Sequence, residues 1–261
     1  NKEISVIKKV KAGIIPTGDE MISYESDPQD GEIIETNSWL FKGLAEKHYG
    51  VAKVYDITPD DPLKLKEVLK KATKENDIVI INAGSSAGRD DYTPQIIKEL
   101  GEVYTHGVAI KPGKPVILGA IDLKPVIGLP GYPVSSYITF MEFVVPLLKK
   151  LSGLDIEEYP NVSAKLTKTI MSSLKYQEYI RVKLGEVEGQ MIATPLKRGA
   201  GASMSLVRAD GFCIVPKEME GFKEGEEVKI RLSKDLKIIK NTLVVIGSHD
   251  PLLDEVADMM H

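Results

Sequence analysis

Apolar residues in the first 150 or so positions switch repeatedly between strand and helix spacing. Ala12-Gly13-Ile14-Ile15 is a short apolar run that ends in a turn at Thr17-Gly18. From Asn37 to Gly50 the spacing is helical, with Leu40, Phe41, Leu44 and Ala45 on one face and Gly50 as the stop. Val51 to Ile57 then reads as a strand. Asp61 and Pro62 supply the N-cap and first-turn proline of the next helix, whose stripe is Leu65, Val68, Leu69 and Ala72. Ile78-Val79-Ile80-Ile81 is uninterrupted, the pattern of a strand buried on both faces. A helix over Pro94 to Leu100 follows, then short strands near Val116–Leu118 and Val126–Leu129. A long helix from about Pro133 to Leu151, apolar on most sides, ends at Gly153. This order predicts a three-layer α/β domain over 12–155 with a mostly parallel sheet and crossover helices, led in by a linker at 1–11.

After Gly153 the runs become short and turn-separated: Val162–Leu166, Tyr179–Leu184, Met191–Thr194, Phe212–Val215 and Val228–Leu232. They predict a small all-β domain over 160–235, barrel or sandwich, with a hairpin loop at Gly185–Gly189. A further βα unit opens at 241, with a strand at Leu243–Ser248 and a helix at Leu252–Met260. One strand and one helix cannot bury their own apolar faces. This segment therefore either docks on another domain or begins one.

Composition narrows the function. The 261 residues carry 43% hydrophobic and 28% charged side chains, enough for a sizeable core. A net charge of -4 implies no broad basic surface, which argues against nucleic acid, so an anionic substrate needs a local positive site. The single cysteine, Cys213, excludes an intrachain disulfide and lies in the apolar run Phe212–Val215 as an expected buried strand residue. The first eleven residues are polar and basic, unlike a secretory signal, and no apolar run reaches the roughly 20 residues that span a bilayer. The expected location is cytoplasmic, with no membrane contact.

Four strings carry candidate chemistry. Pro16-Thr17-Gly18-Asp19-Glu20 follows a buried strand, where open α/β sheets bind ligands. It reads either as a ligand loop or as a capping turn with Thr17 or Asp19 as N-cap. The string Asn82-Ala83-Gly84-Ser85-Ser86-Ala87-Gly88-Arg89-Asp90-Asp91-Tyr92 follows the next buried strand. Small residues there leave backbone N–H groups free for an anion, and the acids suit a hydrated magnesium ion. A plain glycine-rich loop capped by Asp91 is the other reading. Lys111-Pro112-Gly113-Lys114-Pro115 holds two ammonium groups at a stiff bend, as an oxyanion site or as a surface turn. Gly128-Leu129-Pro130-Gly131-Tyr132-Pro133-Val134-Ser135 turns a strand into a helix whose N-terminal amides can face an anion. Asp61 is explained as a cap, which leaves Asp60 as the acid for magnesium or acid–base work. The 84–91 loop and the 111–115 turn are expected to line one pocket at the sheet's C-terminal edge.

Taken in order over Val10 to Leu232, these strings, with Asn37-Ser38 and Asp60-Asp61-Pro62, resemble the molybdopterin molybdotransferase family, called MoeA in bacteria and the gephyrin E domain in animals. That resemblance implies the last step of molybdenum cofactor assembly: molybdate is inserted into adenylylated molybdopterin, AMP leaves, and Mg2+ assists. It places Glu20, Asp60 and Asp91 among the family's functional acids, with Asp60 and Asp91 as magnesium ligands. Substrate contacts fall on Thr17, Gly18, Asp19, Gly84, Ser85, Ser86, Gly88, Lys111, Lys114, Pro130, Pro133 and Ser135. It implies a homodimer acting on a small-molecule substrate.

The family usually has Asn where this chain has Tyr132, a double glycine at Ala83-Gly84, and an arginine at Tyr176, beside Lys175. It also has two further regions ahead of the Thr-Gly-Asp-Glu strand, so the chain reads as the middle piece of a longer protein. Val244–Asp250 resembles the start of a periplasmic-binding-protein-like extension. Two other functions stay open. A molybdopterin adenylyltransferase shares the α/β domain but has a Gly-Gly-Thr-Gly run and lacks the β domain. A non-catalytic dimerising scaffold would release no AMP.

Overall fold

The computed structural model describes residues 3–4, 6–82, 92–199, 203–242 and 251–259. Contacts divide the chain into two units. The first runs through Glu158 and includes Lys175–Tyr179, and the second holds Tyr159–Leu174, Ile180–Arg198 and the chain from Met204.

The first unit opens with β1 (Val10–Pro16), β2 (Met21–Ile22), β3 (Ile33–Ile34), α1 (Asn37–Lys47), β4 (Gly50–Val54), α2 (Pro62–Glu75) and β5 (Ile78–Asn82). It continues with α3 (Thr93–Leu100), β6 (Glu102–His106), β7 (Ile110–Lys111), β8 (Ile117–Ile121), β9 (Lys124–Leu129), α4 (Pro133–Thr139) and α5 (Val145–Leu151). The main sheet has the order β4-β1-β5-β9-β8-β6. The first four strands run parallel, and β8 and β6 add an antiparallel edge. From β1 the chain crosses through α1 to β4 on one side, then through α2 to β5 on the other. Right-handed crossovers in opposite directions put the two helices on opposite faces. Ile15, Val79, Ile81 and Val126 face α2 and α3, packing with Leu65, Leu69, Ile96 and Ile97. On the α1 and α4 side, Phe41 stacks on Phe140 with ring centroids 5.3 Å apart.

Three local expectations change. In α1 the buried residues are Asn37, Ser38, Phe41 and Ala45, while Leu40 is exposed. The inward face thus begins with a polar pair, for a reason given below. The long helix from Pro133 is interrupted at Phe140–Val144 by a π-helical turn, in which the Val145 N–H donates to Phe140 O. Pro146 has no N–H and its ring crowds the preceding turn, so a widened turn relieves the clash. The strands β8 and β9 are longer than expected and join through Asp122 and Leu123, both at positive φ.

The later elements are β10 (Asn161–Leu166), β11 (Ile170–Met171), β12 (Gln177–Val187), β13 (Gln190–Pro195), α6 (Ser203–Arg208), β14 (Gly211–Val215), β15 (Gly221–Phe222), β16 (Glu227–Leu232), α7 (Leu236–Lys240) and α8 (Pro251–Met259), which belong to the second unit apart from the first residues of β12 and α6. The order β13-β10-β16-β14-β12, with β12 pairing back to β13, closes a five-stranded barrel and rules out the sandwich. Closure removes exposed sheet edges. Its core is built on Val182, Ala193, Cys213, Val215 and Ile230. Burial pushes the Cys213 thiol up to about 12, as a structural cysteine should be. The expected loop at 185–189 is shorter: β12 runs to Val187, and Glu188-Gly189 makes the turn with both residues at positive φ. Helix α8 matches the expected terminal helix, and the expected strand at 243–248 lies outside the described residues.

Candidate functional site

The strand order reverses direction at β1 and β5, because the chain leaves β1 for β4 and then returns past β1 to β5. A crevice opens at the C-terminal ends of such a strand pair. Here Pro16-Thr17-Gly18-Asp19-Glu20 leaves β1. No helix follows it, since β2 begins at Met21, so the capping-turn reading fails. Thr17 is buried, and both its N–H and its hydroxyl donate to Asn82 O at 3.1 Å. These two bonds clamp β1 to β5 and commit the Thr17 hydroxyl hydrogen to the backbone. Gly18 takes φ +138 and its N–H donates to Thr58 O. That left-handed backbone is strained for any L side chain, so the position favours glycine. Asp19 Oδ1 accepts the Asp60 N–H at 3.1 Å, which ties the Asp60 loop to this turn.

A cleft of about 340 Å³ lies over the strand ends. Glu20, Met21 and Ile33 line one side, Glu35, Asn37 and Asn82 the base, and Gly131, Tyr132 and Pro133 the other side. The base is a buried polar network. Glu35 accepts the Ser38 N–H at 2.9 Å and also its hydroxyl. Asn82 Nδ2 approaches Glu35 Oε1 at 3.5 Å. Asn37 donates to Gly131 O at 2.7 Å, which fixes the Gly-Leu-Pro-Gly turn over α1. This is why α1 begins its inward face with Asn37 and Ser38: both satisfy polar partners above the sheet. The parallel β2–β3 pairing, in which Ile33 N–H donates to Glu20 O and Glu35 N–H to Ile22 O, places Glu20 at one end of this short ribbon and Glu35 at the other, and both line the cleft.

Among the expected site residues, Glu20 and Pro133 line this cleft, with Gly18 and Asp19 in the turn that delivers Glu20. Pro130 and Ser135 are buried beside it and do not line it. Lys111 and Lys114 do not line it either. Lys111 lies 3.4 Å from the buried Glu178 carboxylate, and Lys114 sits 5.9 Å from the Tyr176 ring centre. Gly113 packs their turn onto α4, where a Cβ would meet the Thr139 methyl at 2.7 Å. Gly84, Ser85, Ser86, Gly88 and Asp91 lie outside the described residues, and with them the expected pocket shared with the lysine turn. Asp61 caps α2 by accepting the Leu63 and Lys64 N–H groups at 2.8 and 3.0 Å. Those bonds, Lys64 first, hold its carboxyl below the ordinary range. Asp60 keeps an exposed side chain.

Glu35 escaped the sequence reading, and Asn82, the first residue of the second candidate string, was given no role in it. Glu35 had a signal, an acid three residues before a serine at a helix start. Asn82, the polar terminus of the apolar run in β5, had one too. For metal, no three His, Cys, Asp or Glu side chains converge among the described residues. A hydrated magnesium ion asks for less, only one or two carboxylates plus ligand oxygens. Asp19 and Asp60 sit on neighbouring loops at this edge, joined by the Asp60 N–H bond to Asp19 Oδ1.

Residues 13–150 match the family described as "Probable molybdopterin binding domain", more than half of the chain. Residues 163–232 match the "MoeA C-terminal region (domain IV)". The chain belongs to the MoeA-like molybdopterin-binding family. A Methanocaldococcus jannaschii relative named "Putative molybdopterin biosynthesis protein" is 38% identical over 87% of this chain and 58% of its own length. The molybdopterin molybdenumtransferase of Haemophilus influenzae is 30% identical over 87% of the chain and 57% of its own length. A solved molybdopterin biosynthesis MoeA protein from Pyrococcus horikoshii superposes with a TM-score of 0.75 at 36% identity, covering 87% of this chain and 55% of that one. The chain thus spans a little over half the length of these three relatives. No described helix is long and apolar enough to cross a membrane.

Proposed function

We propose that this chain carries the molybdate-inserting region of a molybdopterin molybdotransferase. Adenylylated molybdopterin and molybdate are the substrates, and the molybdenum cofactor and AMP are the products. The observation that carries the reading is the cleft at the β1 and β5 ends, where Glu20, a buried carboxamide pair and the turn at Gly131–Pro133 converge. The family membership supports it, and the barrel favours it over an adenylyltransferase, which resembles the α/β domain alone. In this reading the α/β domain (12–155) holds the substrate, and the β domain (160–235) is the second unit of the family pattern, followed by the segment from 241.

Molybdate and a pyrophosphate linkage are both oxyanions. In this reading Gly84, Ser85, Ser86 and Gly88 would supply N–H donors, and Lys111 and Lys114, which lie outside the cleft lining, would supply positive charge. Asp60 and Asp91 would hold magnesium, which when bound lowers the cost of negative charge on the departing AMP phosphate. Glu20 provides the carboxylate for proton transfer within the cleft. Pro130, Pro133 and Ser135 set the wall, Gly18 and Asp19 aim Glu20, and a homodimer completes the enclosure in the cytoplasm.

The test is molybdate-dependent AMP release from adenylylated molybdopterin by the intact protein. Release that rises with molybdate and falls on magnesium chelation is expected. Adenylylation of molybdopterin from ATP, with no molybdate-dependent release, would replace this reading with the adenylyltransferase. Sedimentation of the same sample as a monomer would remove the dimer.

A further inference from the structure

A second cavity, of about 310 Å³, lies behind Glu35 on the side of β4. It is lined by Tyr24 and Trp39 at one wall, Asp56 and Ile57 at the other, and Glu35 and Ser38 at the base. Trp39 is 45% exposed although it sits on a helix whose buried residues are Asn37, Ser38, Phe41 and Ala45. The core therefore does not use it. Tyr24 meets it edge-on, ring centroids 5.2 Å apart at 89°, so the two rings make a corner rather than isolated surface residues. Lys42 already lies 5.2 Å from the indole centre.

The polar groups around the cavity are mostly acceptors. Asp56 is an exposed carboxylate, Glu35 a buried one, and the Glu25 carboxylate accepts from the Tyr24 hydroxyl, which raises that phenol's pKa. Such a lining repels phosphate and favours a planar group that stacks on an indole and donates from an amino edge. The volume is at the small end for ligand pockets, right for one ring system rather than a whole nucleotide conjugate. Glu35 also lines the larger cleft, so the two cavities adjoin.

We propose that the Trp39–Asp56 pocket binds the amino-bearing edge of a planar heterobicycle, adenine or pterin, and so holds one end of a two-ringed substrate whose anionic middle lies in the larger cleft. This rests on the molybdotransferase reading for the substrate but on the pocket for the placement. Trp39 is the chain's only tryptophan, so its emission reports this site alone. AMP and unsubstituted pterin are titrated separately against the chain, by tryptophan fluorescence and by calorimetry, with ribose 5-phosphate as the ring-free control.

Saturable quenching with matching heat is expected for at least one ring ligand and not for the control. Which ligand binds identifies the ring. Trp39→Ala should weaken calorimetric binding about tenfold, as expected for loss of one base-stacking contact. Asp56→Asn should weaken it about fivefold, as for one charge-assisted hydrogen bond. Both side chains are exposed, so circular dichroism should show folded variants. Absence of binding by both ring ligands, or unchanged affinity in both variants, would overturn the pocket assignment. That result leaves AMP release by the intact protein unaffected, whereas loss of AMP release with pocket binding intact would count against the transferase reading and not against the pocket.

Discussion

The Glu35 carboxylate accepts both the backbone N–H and the hydroxyl of Ser38, three residues along the chain at the start of α1. One buried acid thus caps a helix and forms the partition between two cavities. Thr36, the residue in the N-cap position, makes no side-chain cap bond, so the helix start depends on Glu35. Glu35→Ala removes the cap and leaves the Ser38 hydroxyl and Asn82 amide without their acceptor. The expected loss is about 2 kcal/mol, combining a cap with a buried hydrogen bond. Glu35→Gln, which keeps an oxygen acceptor for the N–H, should lose about half as much. Urea denaturation measures both, and equal stability of Glu35→Ala and wild type would show that α1 starts without this cap.

Asp60 and Asp61 are adjacent but separable. Asp61→Ala removes two cap hydrogen bonds from α2 and should lower the melting midpoint with turnover retained. Asp60→Ala leaves α2 capped, and its side chain is exposed, so stability should hold while molybdate-dependent AMP release by the intact protein falls at least about tenfold. Asp91→Ala is expected to behave like Asp60→Ala. Paired thermal melts and AMP-release assays decide the division. Full activity in Asp60→Ala would take that residue out of the site.

The hairpin between β8 and β9 turns on Asp122 and Leu123 at φ 50 and 62, with Leu123 98% exposed. Two consecutive positive φ values define the turn that suits hairpin twist, and it favours Asn-Gly. Leucine in that conformation costs about 1 kcal/mol and here packs against nothing. Leu123→Gly should therefore stabilise the protein by about 0.5–1 kcal/mol, read as a higher urea midpoint with unchanged slope. A lower midpoint would mean that the leucine side chain contributes contacts that its exposure denies.

That turn also shows what the sequence could convey. The strands of the parallel sheet were legible because burial on both faces leaves an unbroken apolar run, as in Ile78–Ile81. Asp61-Pro62 was legible because capping uses specific chemistry at fixed positions. Asp122-Leu123 was not, since tertiary pairing of β8 with β9 imposes a backbone that the residues do not prefer. Strand β6, with half-exposed alternation at the sheet edge, carried too little apolar signal to be seen. In the candidate site, the Thr-Gly-Asp-Glu turn was legible as a motif, but the direction of Thr17 was not. Its hydroxyl faces Asn82 O, a partner 65 residues away whose position only the folded sheet determines.

In the barrel, Asp210 is buried and accepts from the Leu184 N–H at 3.0 Å, from Lys183 at 3.0 Å and from Lys234 at 2.9 Å. Burial raises its pKa, but the Leu184 bond and the two lysines outweigh it and hold the carboxyl below its ordinary 3.8. A carboxylate with a depressed folded pKa stabilises the protein fully above the unfolded value. Its contribution is lost as pH falls through the folded value. Asp210→Asn keeps one acceptor for Leu184 but discards the charge. Because Lys183 and Lys234 are partly solvated, the ion pairs themselves contribute modestly, and the expected cost near pH 7 is about 1–2 kcal/mol. In the wild type this contribution should be complete near pH 7 and fade below about pH 4. The gap in urea stability between wild type and Asp210→Asn should therefore narrow as the pH is lowered through that window. A gap that stayed constant from neutral pH into the acid range would show that the variant loses packing geometry rather than charge, and that the carboxylate is not the group that links barrel stability to pH.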